Sequence, residues 1–268
     1  MDGGTHHGRF QRARGAASVR LSGGRLRALR QEGCAKAMLP RTHGGPAEVV
    51  FLNTAGGLTG DDRLSQALAV EGGRATGTTQ SAERIYASLC GAAEVETRLS
   101  VGLGARLDWL PQETILFDRA ALHRRTVADL APDATLLLAE ALVLGRAAMG
   151  EGVRALDLLD RREIRRGGRP LWIEPLRLTG AVIARGTGAL LGGARAVATL
   201  VLAAPGAEDA ARGLRLDDEG VEAAASGWNG RAVLRLRAAH AAPLRRALAR
   251  AILALGGRLP RVWPREPA

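Results

Sequence analysis

Thr135-Leu136-Leu137-Leu138-Ala139-Glu140-Ala141-Leu142-Val143-Leu144 is apolar except for its first residue and one charge, Glu140. Read as a β-strand it alternates faces, so Leu136, Leu138, Glu140, Leu142 and Leu144 point the same way. Read as a helix it surrounds Glu140 with Leu136, Leu137, Val143 and Leu144. The carboxylate has apolar neighbours on either assignment. The wider run Ala134 to Gly145 is too short to span a bilayer, and Glu140 interrupts it, so no membrane segment is expected.

Outward from this run, residues Ala16 to Gly180 form short apolar stretches divided by Gly, Pro, Asn or Asp, the pattern of a mainly β protein. Glu48 to Asn53, Leu64 to Val70, Val95 to Val101 and Leu171 to Thr179 read as further strands. Turns fall at Gly44-Gly45-Pro46, Gly72-Gly73 and Gly167-Gly168. No helical stretch long enough to build βαβ units separates them, which argues against a doubly wound nucleotide-binding fold. No repeat of constant period appears, which argues against a propeller or a regular solenoid.

Beyond Gly180, Pro205 to Gly213 reads as a short helix, and Val221 to Ser226 and Arg231 to Arg237 as strands. A C-terminal helix then starts near Pro243. Leu244, Leu248, Ala251, Ile252 and Leu255 share one face, Arg245, Arg246 and Arg250 lie off it, and Gly256-Gly257 ends it. That face packs on the sheet or receives a partner. Residues 1–15, rich in Gly, His and Arg, are expected to form a flexible arm, with His6 and His7 in a solvated tail. Residues 16–268 are expected to form a single domain.

The formal charge is +11, and Lys36 is the single lysine, so nearly all the positive charge is arginine. The arginines are scattered, and aromatic residues make up only 3% of the chain, with Tyr86 the sole tyrosine. Stacking platforms for nucleic acid are therefore missing, and no nucleic-acid partner is expected. Cys34 and Cys90 stand in no metal-ligand spacing, and no signal-peptide stretch opens the sequence, so free thiols in the cytoplasm are expected.

Parity counting brings out two more carboxylates. Glu113 falls beside Ile115 and Phe117, and Glu83 beside Ile85. An ionised carboxylate in a dry core costs several kcal/mol, so each must find a cation, raise its pKa or border a wet cavity. Arg84 and Arg146 are sequence-near candidates for the cation. The loop Asn53-Thr54-Ala55-Gly56-Gly57-Leu58-Thr59-Gly60-Asp61-Asp62 presents two carboxylates and lacks the Gly-Lys-Ser/Thr ending of a phosphate loop. His43, His123 and His240 have no nucleophile motif beside them. A β-rich hydrolase or lyase that uses paired carboxylates on an acidic polymer is the alternative from another class.

Four strings carry a resemblance: LNTAGGLTGDD (Leu52 to Asp62), TTQSAERIY (Thr78 to Tyr86), LDWLPQETILFD (Leu107 to Asp118) and EALVLGRAAMGE (Glu140 to Glu151). With QEGCAKAMLPR (Gln31 to Arg41), REIRRGGR (Arg162 to Arg169) and LPRVW (Leu259 to Trp263), they resemble the signature blocks of the urease accessory protein family UreD, also called UreH. Two departures stand out. Gly60 is followed by Asp61 and Asp62 where the family has Gly-Gly-Asp, and Ala87 follows Tyr86 where the family commonly has Arg.

The resemblance implies a mainly β fold of β-helix-like stacked strands with a small helical part. It also implies a non-enzymatic chaperone for nickel insertion that works with UreF, with the GTPase UreG through UreF, and with apo-urease. No tightly bound cofactor is implied; nickel is in transit. Carboxylates and water hold a transition metal loosely and let it exchange, which suits a conduit. Asp62, Glu83, Glu113, Asp118, Glu140 and Glu151 are accordingly the expected wall of the nickel path. A scaffold that opens urease without passing metal is the nearer rival.

Overall fold

A computed structural model describes residues 12–188, 191–215 and 217–263. First along the chain run β1 (Arg14–Ser22), β2 (Arg25–Gly33), β3 (Ala35–Met38), β4 (Ala47–Asn53), β5 (Arg63–Glu71) and β6 (Arg74–Thr79). Then come β7 (Glu83–Ile85), β8 (Ala93–Val101), β9 (Arg106–Trp109), β10 (Thr114–Leu116), β11 (Ala120–Leu130) and β12 (Thr135–Leu144). Next are β13 (Leu156–Arg166), β14 (Arg169–Thr179), the short α1 (Gly180–Ala184), β15 (Ala196–Ala203) and the short α2 (Ala207–Ala210). The described chain closes with β16 (Val221–Trp228), β17 (Arg231–Ala238) and α3 (Ala241–Ala254).

These strands make two large sheets and a short flanking ladder. One sheet runs β14-β13-β11-β8-β5-β1-β2, the other β16-β17-β15-β12-β9-β6-β4-β3, and β7, β10 and the end of β12 pair beside the second. The chain crosses from β5 to β6, from β8 to β9 and from β11 to β12, each time changing sheet, so neighbours within a sheet are successive turns of a coil and pair in parallel. Arg63 lies beside Glu94, Ala93 beside Leu122 and Ala47 beside Ala75, whereas the first turn is longer and sets Arg14 beside Arg63. Parallel pairing thus needs no helix here, because the opposite sheet supplies the crossover. The unequal turns also explain a coil without a sequence period. Antiparallel strands close the ends: β2, β3, β14 and β15–β17.

Between the sheets lies the main core, with Leu21, Leu68, Leu99, Leu122, Leu136, Leu138, Leu158 and Ile164 buried around Phe51 and Trp109, whose rings meet edge-on at 5.7 Å. A second core lies on the outer face of the β12 sheet, where Leu137, Ala139, Leu200, Leu202 and Leu234 meet Leu244, Leu248, Ala251 and Ile252 of α3. β12 is therefore covered on both faces, which is why its sequence is a nearly unbroken apolar run. The apolar face of α3 is occupied by its own sheet. β15 was not anticipated from the sequence; it too is buried on both faces.

The first strand begins at Arg14, two residues inside the expected arm; His6 and His7 lie outside the described residues. The Gly72-Gly73 turn is as expected, with φ of +70° and +74°, values that side chains other than glycine rarely adopt. No helix among the described residues is long and apolar enough to cross a membrane.

One buried carboxylate fixes the end of α3. Asp108 of β9 is fully buried and holds Arg74 (Nη2 to Oδ2, 2.6 Å) and Arg106 (Nε to Oδ1, 2.8 Å). The same guanidiniums donate to the carbonyls of Gly256 (2.6 Å) and Leu255 (3.2 Å), just past the last turn of the helix, where its dipole favours a cation. Replacing Asp108 by Ala removes the shared anion. Urea denaturation should show a loss of about 2 kcal/mol, less than for a wholly buried pair because both arginines keep some solvent contact.

Candidate functional site

Strand parity carries six charged side chains into the gap between the sheets or to its mouth. On β11 the inward positions are Leu122, Arg124, Thr126, Ala128 and Leu130, and on β13 they are Leu156, Leu158, Asp160, Arg162 and Ile164. Arg124 and Asp160 are registered neighbours, as are Arg162 and Glu174 of β14. Across the gap, Glu140, Thr199 of β15 and Arg235 of β17 stand in one row.

The arginines bind these carboxylates into one chain. Arg124 donates from Nε (3.0 Å) and Nη2 (2.7 Å) to Asp160, while its Nη1 reaches over to Glu140 at 2.8 Å and to the Thr114 hydroxyl at 3.1 Å. Arg162 holds Asp160 from its other side (Nη2 to Oδ2, 3.0 Å) and meets Glu174 at 3.1 Å. Glu174 in turn pairs with the half-exposed Arg235 (2.5 Å) and accepts a hydrogen bond from Thr199 at 3.4 Å. The chain of ion pairs thus leads from a buried centre to the surface.

Cavities follow the same line. A groove of about 540 Å³ opens at Arg235, Glu174, Glu222 and Arg237 and ends at Glu140 and Arg162. A small cavity of about 40 Å³ has Glu140, Arg124, Thr114, Trp109 and Glu83 in its wall. A third, of about 90 Å³, shares Glu83, Gln66 and Thr79 with the second and includes Asn53, Gly56 and Gly57. Glu140 therefore lines the first and second cavities, and Glu83 the second and third. The indole N–H of Trp109 is buried without a hydrogen-bond partner, the kind of group that internal water satisfies.

The six carboxylates expected at a nickel path fall in different places. Glu140 and Glu83 line the small central cavity together. Burial pushes the Glu140 carboxyl up despite Arg124. Burial also opposes ionisation of Asp160, but Arg124 and Arg162 outweigh it and hold its carboxyl below the usual range. Burial raises Glu83 to about 7, against the Asn53 amide that donates to it at 3.1 Å. Glu113 faces the other way and pairs with Arg245 of α3.

The remaining three fasten loops. Asp62 is buried and accepts from the amides of Ala13 (2.7 Å) and Thr59 (2.8 Å), tying the start of β1 to the Gly-rich loop. Asp118 accepts from the amides of Ala155 (2.9 Å) and Arg154 (2.7 Å), which keep its carboxyl below the usual range. Glu151 is held low by the Arg146 side chain at 2.8 Å. Asp61, the additional acid of that loop, has φ +63° and lies 3.7 Å from Arg12.

Neither cation expected for Glu140, Glu113 and Glu83 takes that role: Arg146 belongs to Glu151, Arg84 points to solvent, and Glu140 pairs instead with Arg124 of the facing sheet. Arg124, Asp160 and Arg162 escaped the sequence reading, which sought acids in apolar runs. The same parity count over Leu156 to Arg166 reveals Asp160 and Arg162 between Leu158 and Ile164. Among the described residues no group of three or more His, Cys, Asp or Glu is arranged to hold a metal ion, and Cys34 and Cys90 are free thiols.

A family model described as "UreD urease accessory protein" matches residues 11–266. A urease accessory protein UreD from Cereibacter sphaeroides is 54% identical over 263 residues, covering 95% of this chain and 96% of the relative. Proteins of the same name from Dinoroseobacter shibae and Jannaschia are 52% and 51% identical, covering 95% and 94% of this chain and 93% and 96% of their own lengths.

Glu83 makes stability depend on pH. Its carboxyl titrates near 7 in the folded chain and near 4.5 when free, so the folded state keeps a proton that the unfolded state releases. The associated stability is complete below 4.5 and is lost as pH rises through about 7. Glu83→Gln cannot ionise and should flatten the slope. Between pH 5 and pH 8, chemical denaturation should show the native chain losing on the order of 2 kcal/mol more than the variant.

Proposed function

The chain belongs to the UreD family of urease accessory proteins and serves urease maturation; within that role we propose that it is both scaffold and conduit, passing nickel between its two sheets toward apo-urease. It does no chemistry itself. Its direct partner is UreF, which brings the GTPase UreG, so that GTP is hydrolysed on the partner. The complex docks on apo-urease in the cytoplasm.

The observation that supports the conduit is the series of cavities with Glu140 in one dividing wall and Glu83 in the next. Hard oxygen donors of this kind bind a borderline metal weakly enough to release it, which a thiolate or imidazole cluster does not. The path is polar at these points and apolar on either side, so a metal finds few places to stop. Asp62, Glu113, Asp118 and Glu151 are assigned to shaping the body around that path, each through the loop or helix it ties down.

One observation favours the rival in which the protein acts only by opening urease: Glu140 is already paired with Arg124. The two readings separate in co-expression of urease with all accessory proteins. Glu140→Gln and Glu83→Gln should each retain UreF on purification while nickel per urease, measured by metal analysis, falls several-fold. Full nickel loading in both variants would leave the scaffold alone, and omission of this chain altogether should yield nickel-poor, inactive urease.

A further inference from the structure

We infer that Arg124 determines which cations pass Glu140, acting as a built-in counter-cation that fills the carboxylates until a divalent metal displaces it. The inference rests on the conduit reading and adds to it the residue that guards the path. Along the buried chain, Glu140, Asp160 and Glu174 alternate with Arg124, Arg162 and Arg235, so negative and positive charges match one for one. A carboxylate in such a row offers no net attraction to a monovalent ion, which cannot replace the directed N–H donors of a guanidinium. A transition-metal dication brings twice the charge and forms direct bonds to oxygen.

The geometry allows this exchange without unfolding the row. Arg124 holds Asp160 with Nε and Nη2 and uses only Nη1 on Glu140. That same Nη1 already donates to Thr114 at 3.1 Å, so it has a partner left when Glu140 is taken by a metal. Asp160 stays charge-matched because Arg162 grips it independently. Arg124, Thr114 and Glu140 all line the small central cavity, so the incoming ion meets all three together.

The test titrates the purified full-length chain with NiCl2, MgCl2 and KCl by calorimetry. Arg124→Gln should bind Ni2+ at least about tenfold more tightly than the native chain and begin to bind Mg2+. The double variant with Glu140→Gln should lose that gain. A folded Arg124→Gln, with native near-ultraviolet circular dichroism, whose Ni2+ affinity is unchanged overturns the inference. If Gln does not fold there, Arg124→Lys keeps the charge but loses the fork and should show a smaller gain. Arginine-selective NMR of the native chain supplies a second measurement. Ni2+ should shift the Arg124 Nη1 signal, which loses Glu140 and keeps Thr114, more than that of Nε–H, and signals unchanged at both overturn the inference. Urease loading reports separately on the conduit: a gain in affinity supports the guard role whether or not loading changes.

Discussion

Arg124 reaches from β11 across the gap between the sheets to Glu140 while its fork grips Asp160 on the neighbouring strand. Two constraints meet in this one guanidinium. The width of the gap is set where Nη1 meets Glu140, and the register of β11 against β13 is set by the two bonds to Asp160. A slip of one residue would turn Leu122, Arg124 and Leu130 to solvent and bring His123, Arg125 and Asp129 into the leucine core. The sheets are therefore locked at mid-height by charge, while leucines fill the space on both sides.

The same lock explains how a largely apolar body can contain a polar route. Pairing each buried acid with a guanidinium offsets much of its desolvation cost, which an unpaired charge would bear in full. Glu83, with an amide from Asn53 but no cation, takes the other solution open to a buried acid and keeps its proton toward neutral pH. Two carboxylates on one cavity thus differ in how they are neutralised. Arg124 provides a charge that can be exchanged, and burial provides a proton that can be released.

Much of this was legible along the chain, and the limits are physical. Period-two counting oriented Glu140 and Glu83 toward the interior, and helical spacing identified the face of α3 that packs on the sheet. Parity states which face a residue occupies but not what stands across the gap. Arg124 comes from the preceding strand, in the opposite sheet, and no rule of local spacing pairs it with Glu140. Asp118 and Glu151 lie near apolar runs in sequence yet end in loops, where backbone amides and Arg146 satisfy them. β15, like β12, is buried on both faces and shows no alternation, and no charged residue marks it as Glu140 marks β12.

The outer layer over β4, β6 and β9 is supplied by the last part of the described chain: Arg261 donates its amide to Glu48 at 3.3 Å, and the Trp263 indole N–H donates to the Leu110 carbonyl at 3.1 Å. During synthesis the coil can wind turn by turn as each strand emerges, because every turn rests on the one before. The layer beneath α3 cannot close in that order. It waits, apolar side outward, until residues 241–263 have been made, so a growing molecule presents a sticky face from the synthesis of β12 to that of α3.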